Sequence, residues 1–318
     1  MSNAPDVIPD IQFDSPWKSA IEAYFPDFMA FFFPQIHADI DWSRGFEFLD
    51  KELEQVVRDA ELGKRLADKL AKVWRLSGEE SWVLAHAEVQ NTEESAFPKR
   101  MYVYNYRLGD RYDIPVASLA ILGDERSSWR PDRYHSELWG CAVDFRFPVV
   151  KLVDYKQNWQ ALEESRNPFA VVVMAHLKAQ ETRKDNQQRK VWKFTLMRQL
   201  YDQGYERQDV LNLYRFIDWM LELPEGLERE FRAEVEQLEQ ERQMTYISSI
   251  ERMAEQKGRQ DVLRQEVEGL LIARFSELDG SLLGIVEPLM ALSVNDRARM
   301  ILQLSREELI AQFQPPSE

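Results

Sequence analysis

Three residues set the chemistry that this chain could do. Asp68 opens one β-forming segment, Ala67 to Leu76, and Glu88 and Gln90 close another, Trp82 to Gln90, with Ser77-Gly78-Glu79-Glu80 between them. That pattern reads as a β-hairpin, whose two open ends lie side by side. Summing positions about the turn sets Asp68 opposite a residue between Glu88 and Gln90, and the turn length decides which of them shares its face. Glu88 and Gln90, two apart on one strand, point to the same side. Two carboxylates and an amide oxygen at a strand end form a hard-oxygen donor set, suited to Mg²⁺ or Mn²⁺ with Asp68 and Glu88 as ligands. Such an ion activates water and offsets charge developing on a phosphodiester. His86, two residues before Glu88, has the spacing of a packed strand histidine as well as that of a ligand.

The elements that would carry these residues follow from periodicity. Trp17 to Phe33 has helical spacing, with Ile21, Tyr24, Phe25, Phe28 and Phe32 on one face and Pro34 closing it. Gly45 to Asp50 alternates like a short strand, and Lys51 to Lys64 is charged and amphipathic. After the hairpin, Asn91 or Thr92 can cap a helix over Glu93 to Arg107. Ile114 to Leu122 is an apolar run of the kind found in buried strands. With Lys51 to Lys64 set aside as a helix or ordered insertion, the order from Trp17 to Leu122 is α-β-β-β-α-β, and Leu138 to Val153 adds one or two strands broken at Pro148. From Asn158 onward the spacing is helical, over Pro168–Ala179, Gln188–Tyr201, Arg207–Glu222 and the charged Leu227–Phe275. That last region reads as an extended arm or an oligomerisation element. The division is a loose arm over 1–13, an α/β domain over 14–157, a helical region over 158–245 and a C-terminal helical domain over 246–318.

Composition narrows the class. The chain has 318 residues, 44% hydrophobic and 30% charged, with one cysteine, Cys141. That is material for folded cores, with no internal disulfide and no cysteine-based zinc cluster. No apolar stretch approaches the ~20 residues of a bilayer span, and the N-terminus has no secretory pattern, so a cytoplasmic protein without a membrane partner is expected. The net charge of −15 opposes nucleic-acid binding unless cations cluster. They do cluster over Lys178 to Arg198, including Lys184, Arg189 and Lys190. A second group, Arg100, Arg107 and Arg111, lies on or just past the helix after the hairpin. These residues are the candidate phosphate contacts, and the same runs also suit solvated helix faces.

Several segments resemble one family. Phe13-Asp14-Ser15-Pro16-Trp17-Lys18 looks like the "HD-x-x-FK" opening of the Rpn-type recombination-promoting nucleases, also described as YhgA-like transposases. Glu47 to Leu53 resembles their acidic "F-x-D-x-x-L" segment. Ala67-Asp68-Lys69-Leu70 resembles their aspartate strand, and His86-Ala87-Glu88-Val89-Gln90 their "E-x-Q" strand, followed by Arg100-Met101. The resemblance covers roughly residues 12 to 155. It implies the PD-(D/E)XK nuclease-like fold, a mixed sheet flanked by helices in the order α-β-β-β-α-β, followed here by an all-α C-terminal region. The stretch from about Glu266 to Phe313 is similar to a helical domain of unknown function appended to bacterial relatives. The implied activity is Mg²⁺- or Mn²⁺-dependent hydrolysis of DNA.

This chain departs from the pattern at Phe13 for His, at Ala67 for the superfamily Pro, and at Gln90 for the superfamily Lys. Glutamine makes hydrogen bonds but supplies no positive charge. Lys72, with the strand parity of Asp68, and Lys18, at the start of the first helix, are the candidate replacements. Asp14 and Glu22 are candidate supporting acids. Two functions follow: a metal-dependent DNA endonuclease, or a catalytically silent nuclease-fold module that binds protein or nucleic acid, with a homo-oligomer through the C-terminal helices open to either.

Overall fold

The computed structural model describes residues 14–59, 67–88, 96–243, 246–247 and 263–313; the side chains at 14–15, 57–59, 67–68, 86–88 and 294–295 lie outside that description. Two compact units emerge, Met1–Arg242 and Gln243–Glu318. No helix among the described residues is long and apolar enough to cross a membrane.

The first unit is a mixed α/β structure. Helices α1 (Asp14–Ala23), α2 (Phe25–Phe32) and α3 (Pro34–His37) open it. The continuous helix expected over Trp17 to Phe33 is broken at Tyr24, because Pro26 in the first turn of α2 has no N–H to continue the α1 ladder. Strand β1 (Glu47–Phe48) and helix α4 (Asp50–Asp59) follow, then β2 (Ala67–Trp74) and β3 (Glu80–Glu88). Helix α5 (Phe97–Tyr112) crosses to β4 (Val116–Leu122). The capping positions expected at Asn91 and Thr92 lie outside the described residues, and α5 starts at Phe97 with Pro98 in its first turn. A separate hairpin, β5 (Arg133–Leu138) and β6 (Cys141–Arg146), precedes β7 (Val149–Lys151). Strand β5 was not anticipated. Every residue in it except Tyr134 is exposed, so it carries no buried run to mark it.

The five-stranded sheet has the order β1-β2-β3-β4-β7. Its first three strands are antiparallel, while β3–β4 and β4–β7 are parallel. One face packs α4 and α5 through Leu49, Leu53, Val56, Leu70, Trp82, Leu84, Tyr104 and Leu108. Strand β4 lies between β3 and β7, and Leu119 through Leu122 are fully buried, as its apolar run requires.

A helical layer completes the unit: α6 (Trp159–Glu164), α7 (Pro168–Glu181), α8 (Asn186–Asp202), α9 (Arg207–Met220) and α10 (Glu225–Glu241). Helix α7 is apolar on all sides and is buried from Pro168 through Leu177, the pattern of a helix enclosed by others. Helix α10 was expected to belong to an extended arm. It packs on α8 and buries Phe231, Val235 and Leu238, which repeat at helical spacing.

In the second unit, a helix described over residues 263–275 (α11) is followed by α12 (Gly280–Leu283), α13 (Val286–Met290), α14 (Val294–Gln303) and α15 (Arg306–Ala311). Their core is Val267, Leu271, Leu282, Ile285, Val286, Leu289, Ile301 and Leu309. Ser305 and Glu308 close a capping box at the start of α15.

Candidate metal centre at the open end of the hairpin

The turn between β2 and β3 fixes what stands beside Asp68. Arg75 N donates to Glu79 O at 2.8 Å and Gly78 N to Arg75 O at 2.8 Å. The loop is thus Leu76-Ser77-Gly78, with Gly78 at φ +91°, the left-handed position that ends a three-residue hairpin loop. This centres the ladder on Ser77, so Asp68 pairs with His86, not with a residue between Glu88 and Gln90. The turn expected around Gly78 is centred one residue earlier, because Glu79 already pairs with Arg75 and closes the ladder.

The register settles the parity that the sequence left open. Positions 68, 86 and 88 fall on one parity of the pleat, that of Leu70, Trp82 and Leu84. Glu88 is the diagonal neighbour of Asp68, a spacing of roughly 7–8 Å between backbones. Carboxylates at such a spacing can in general share a hard divalent cation at ligand distances near ~2.1 Å. On its other side Glu88 pairs with Leu122 of β4. The side chains of Asp68, His86 and Glu88 lie outside the described residues, as does all of Gln90. Among the described residues no group of three His, Cys, Asp or Glu side chains could hold a metal ion.

The candidate replacement cations fall in different places. Lys72 is four residues from Asp68 along β2, roughly 13 Å at the usual strand rise. Its ammonium pairs with Glu80 at 3.3 Å and lies 5.2 Å from the Trp74 ring, at the turn end of the hairpin. Shared parity does not bring it to the open end. Lys18 is half-buried on α1, one turn before Glu22, while the Asp14 side chain is outside the described residues.

The cation that sequence reasoning missed is Lys69. It is 5% exposed, and its ammonium meets Asp50 at 2.9 Å and Glu22 at 3.1 Å beside the Phe48 ring at 4.9 Å. Glu22 thus acts on the residue after Asp68, through a contact joining α1, β2 and the start of α4. The available signal was a lysine inside an apolar strand, facing small Ala85 across the ladder.

The candidate phosphate contacts divide by burial. Arg100 is 7% exposed, its guanidinium 5.4 Å from the Phe97 ring. Arg189 donates to the carbonyls of Ala179 and Glu222 and to the Thr182 hydroxyl at 3.2–3.3 Å, and burial pulls its pKa down. Lys190 holds Glu230 and Glu234 at 2.9 and 2.8 Å, which raise its pKa. Nearby Lys193, fully buried, holds Asp218 and Glu228 at 2.6 and 2.8 Å. The helical basic run therefore joins α8 to α9 and α10 more than it offers a basic face, with Lys184 an exposed exception. Arg107 is half-buried and Arg111 exposed on α5.

In comparisons with known proteins, no family model, no curated protein and no solved structure matches this chain at a significant level.

Proposed function

We propose that this protein is a Mg²⁺- or Mn²⁺-dependent DNA endonuclease that hydrolyses phosphodiester bonds, with Asp68 and Glu88 holding the ion. The observation that carries the reading is the ladder: Asp68 pairs with His86, two residues from Glu88, at the open end of a hairpin whose β3 runs on parallel to β4. With α4, between β1 and β2, left out as an insertion, the order of elements is compatible with the α-β-β-β-α-β that the family resemblance implies. The bound ion would supply a lowered water pKa and compensation for phosphate charge. Asp68 and Glu88 bind it, and Gln90 orients water or a phosphate oxygen by hydrogen bonding. Incubating supercoiled plasmid with Mg²⁺ or Mn²⁺ tests this. Nicking should require the ion and vanish in Asp68→Ala; nicking that persists in Asp68→Ala overturns the assignment.

A second reading, a catalytically silent binding module, is favoured by one observation. Arg189, Lys190 and Lys193 are committed to internal partners, which leaves an acidic chain with fewer cations for duplex phosphates. Absence of cleavage with every divalent ion would make that reading the better one.

A further inference from the structure

Helix α5 and strand β5 build a column of tyrosines. The Tyr134 and Tyr102 rings lie 5.0 Å apart at 18°, and Tyr102 and Tyr106 lie 6.1 Å apart at 22°. Tyr102 and Tyr106 are one helical turn apart, which puts them on the same face of α5. Tyr134 and Tyr102 are half-buried, whereas Tyr106, at the end of the column, is 54% exposed. Near-parallel rings are an arrangement that a further flat ring can extend, offset by one more step.

The charge around the column differs from that of the chain. Residues 96–146 carry eight Lys and Arg against seven Asp and Glu, in a protein of net charge −15, so the acidic excess lies elsewhere. Lys99, three residues before Tyr102 and on its side of α5, is exposed, and Arg107 follows Tyr106. Neither makes an ion pair among the described residues. Exposed aromatic rings flanked by cations are how proteins hold unpaired nucleotides: the rings stack on bases and the cations meet phosphates. A duplex keeps its base faces inside its own stack and cannot use such a column.

We infer that the Tyr134–Tyr102–Tyr106 column, with Lys99 and Arg107, binds single-stranded nucleic acid by stacking a base on Tyr106. This deepens the proposed function by naming the form of the substrate, and it rests on that reading only in taking nucleic acid as the ligand. The site lies on α5 and β5 and uses neither Asp68 nor Glu88.

The test is fluorescence anisotropy with labelled oligo(dT) and oligo(U) of about 15 nucleotides, within the usual span of one such platform, and a duplex of equal length, all in EDTA. Single strands should bind more tightly than duplex. Tyr106→Ala should weaken them by at least about fivefold, the lower end for one base–aromatic stack, and Tyr106→Trp should restore binding. Preference for oligo(dT) or oligo(U) names DNA or RNA as the source of the strand, and either supports the inference. It is overturned if no oligonucleotide binds, if Tyr106→Ala binds as well as the parent, or if that variant instead dissolves a dimer in sedimentation. Tyr106-dependent binding without cleavage of plasmid or of single-stranded DNA in Mg²⁺ or Mn²⁺ would keep this inference and sink the nuclease reading. Asp68-dependent cleavage with unchanged Tyr106→Ala binding would do the reverse.

Discussion

His176 Nε2 lies 3.0 Å from the carbonyl oxygen of Gly123, inside a fully buried contact between α7 and the residue that follows β4. The ring donates to that carbonyl, and the Trp17 indole meets it edge-on at 6.0 Å. Burial pushes the imidazole pKa down to about 4 from its ordinary 6.5. A folded value below the unfolded one means that the unfolded chain binds the extra proton. The stability held by neutral His176 is therefore complete above about pH 6.5 and is lost as pH falls toward 4. Urea unfolding should show a loss of about 2 kcal/mol from this group between pH 7 and pH 5. In His176→Asn that share of the pH dependence should disappear; an unchanged slope would show that other groups set it.

At the proposed metal centre, Glu88→Ala should abolish nicking while leaving the far-ultraviolet circular dichroism unchanged. Gln90→Lys should preserve or raise activity by restoring a cation beside the site. Lys72→Met should leave the rate within about twofold, because Lys72 stands roughly 13 Å along β2 from Asp68. A large loss in Lys72→Met, measured as plasmid nicking at saturating Mg²⁺, would mean that the turn end of the hairpin takes part after all.

Lys193 is fully buried between carboxylates that are 46% and 18% exposed. Replacing one member of a buried ion pair strands the other charge. Lys193→Met should cost roughly 2 kcal/mol in urea unfolding, below the fully buried range because Asp218 keeps much of its water. Adding Glu228→Gln should recover part of that loss. If the double variant is merely additive, the two residues are not coupled.

In the second unit, Leu282 is fully buried in a small core. Leu282→Ala should destabilise that unit by about 2–5 kcal/mol. Calorimetry should show the loss in one transition, with the unfolding of residues 1–242 unmoved. A common shift of all transitions would show that the two units unfold together.

The elements that sequence made legible are those with strong periodic burial. The apolar run ending at Leu122 announced β4, and Phe97, Met101 and Tyr104 gave the buried face of α5, which also takes in Leu108 beyond the expected end at Arg107. The hairpin was legible because Gly78 separates two β-rich runs, but its register was not. Register depends on whether Glu79 belongs to the loop or to the closing pair, and either suits the same residues. Burial of charged side chains escaped notice for another reason. Lys190 and Lys193 lie in a run that suits phosphate contacts or a solvated helix face, and Lys69 carries no local signal of its partners. Carboxylates from α1, α4, α9 and α10 arrive from far along the chain to bury all three. The tyrosine column was half visible, as the i,i+4 pair Tyr102 and Tyr106; its third ring comes from a strand with no apolar signal.

The central sheet ends on strands of two and three residues, β1 on one side and β7 on the other. Edge strands this short offer few backbone groups of their own for an incoming strand to template upon, while β2 and β4 extend past them. Lengthening the sheet on β1 or β7 themselves by backbone pairing, the usual route to runaway fibrils and to peptide capture by strand addition, would gain few hydrogen bonds. The longer β5–β6 ribbon has six residues in each strand and sets Arg133, Glu137, Asp144 and Arg146 toward solvent, charges that discourage edge-to-edge stacking. Recognition at these two edge strands should therefore depend more on side chains than on backbone pairing, so point substitutions, more than competition by extended peptides, should redirect a partner bound there.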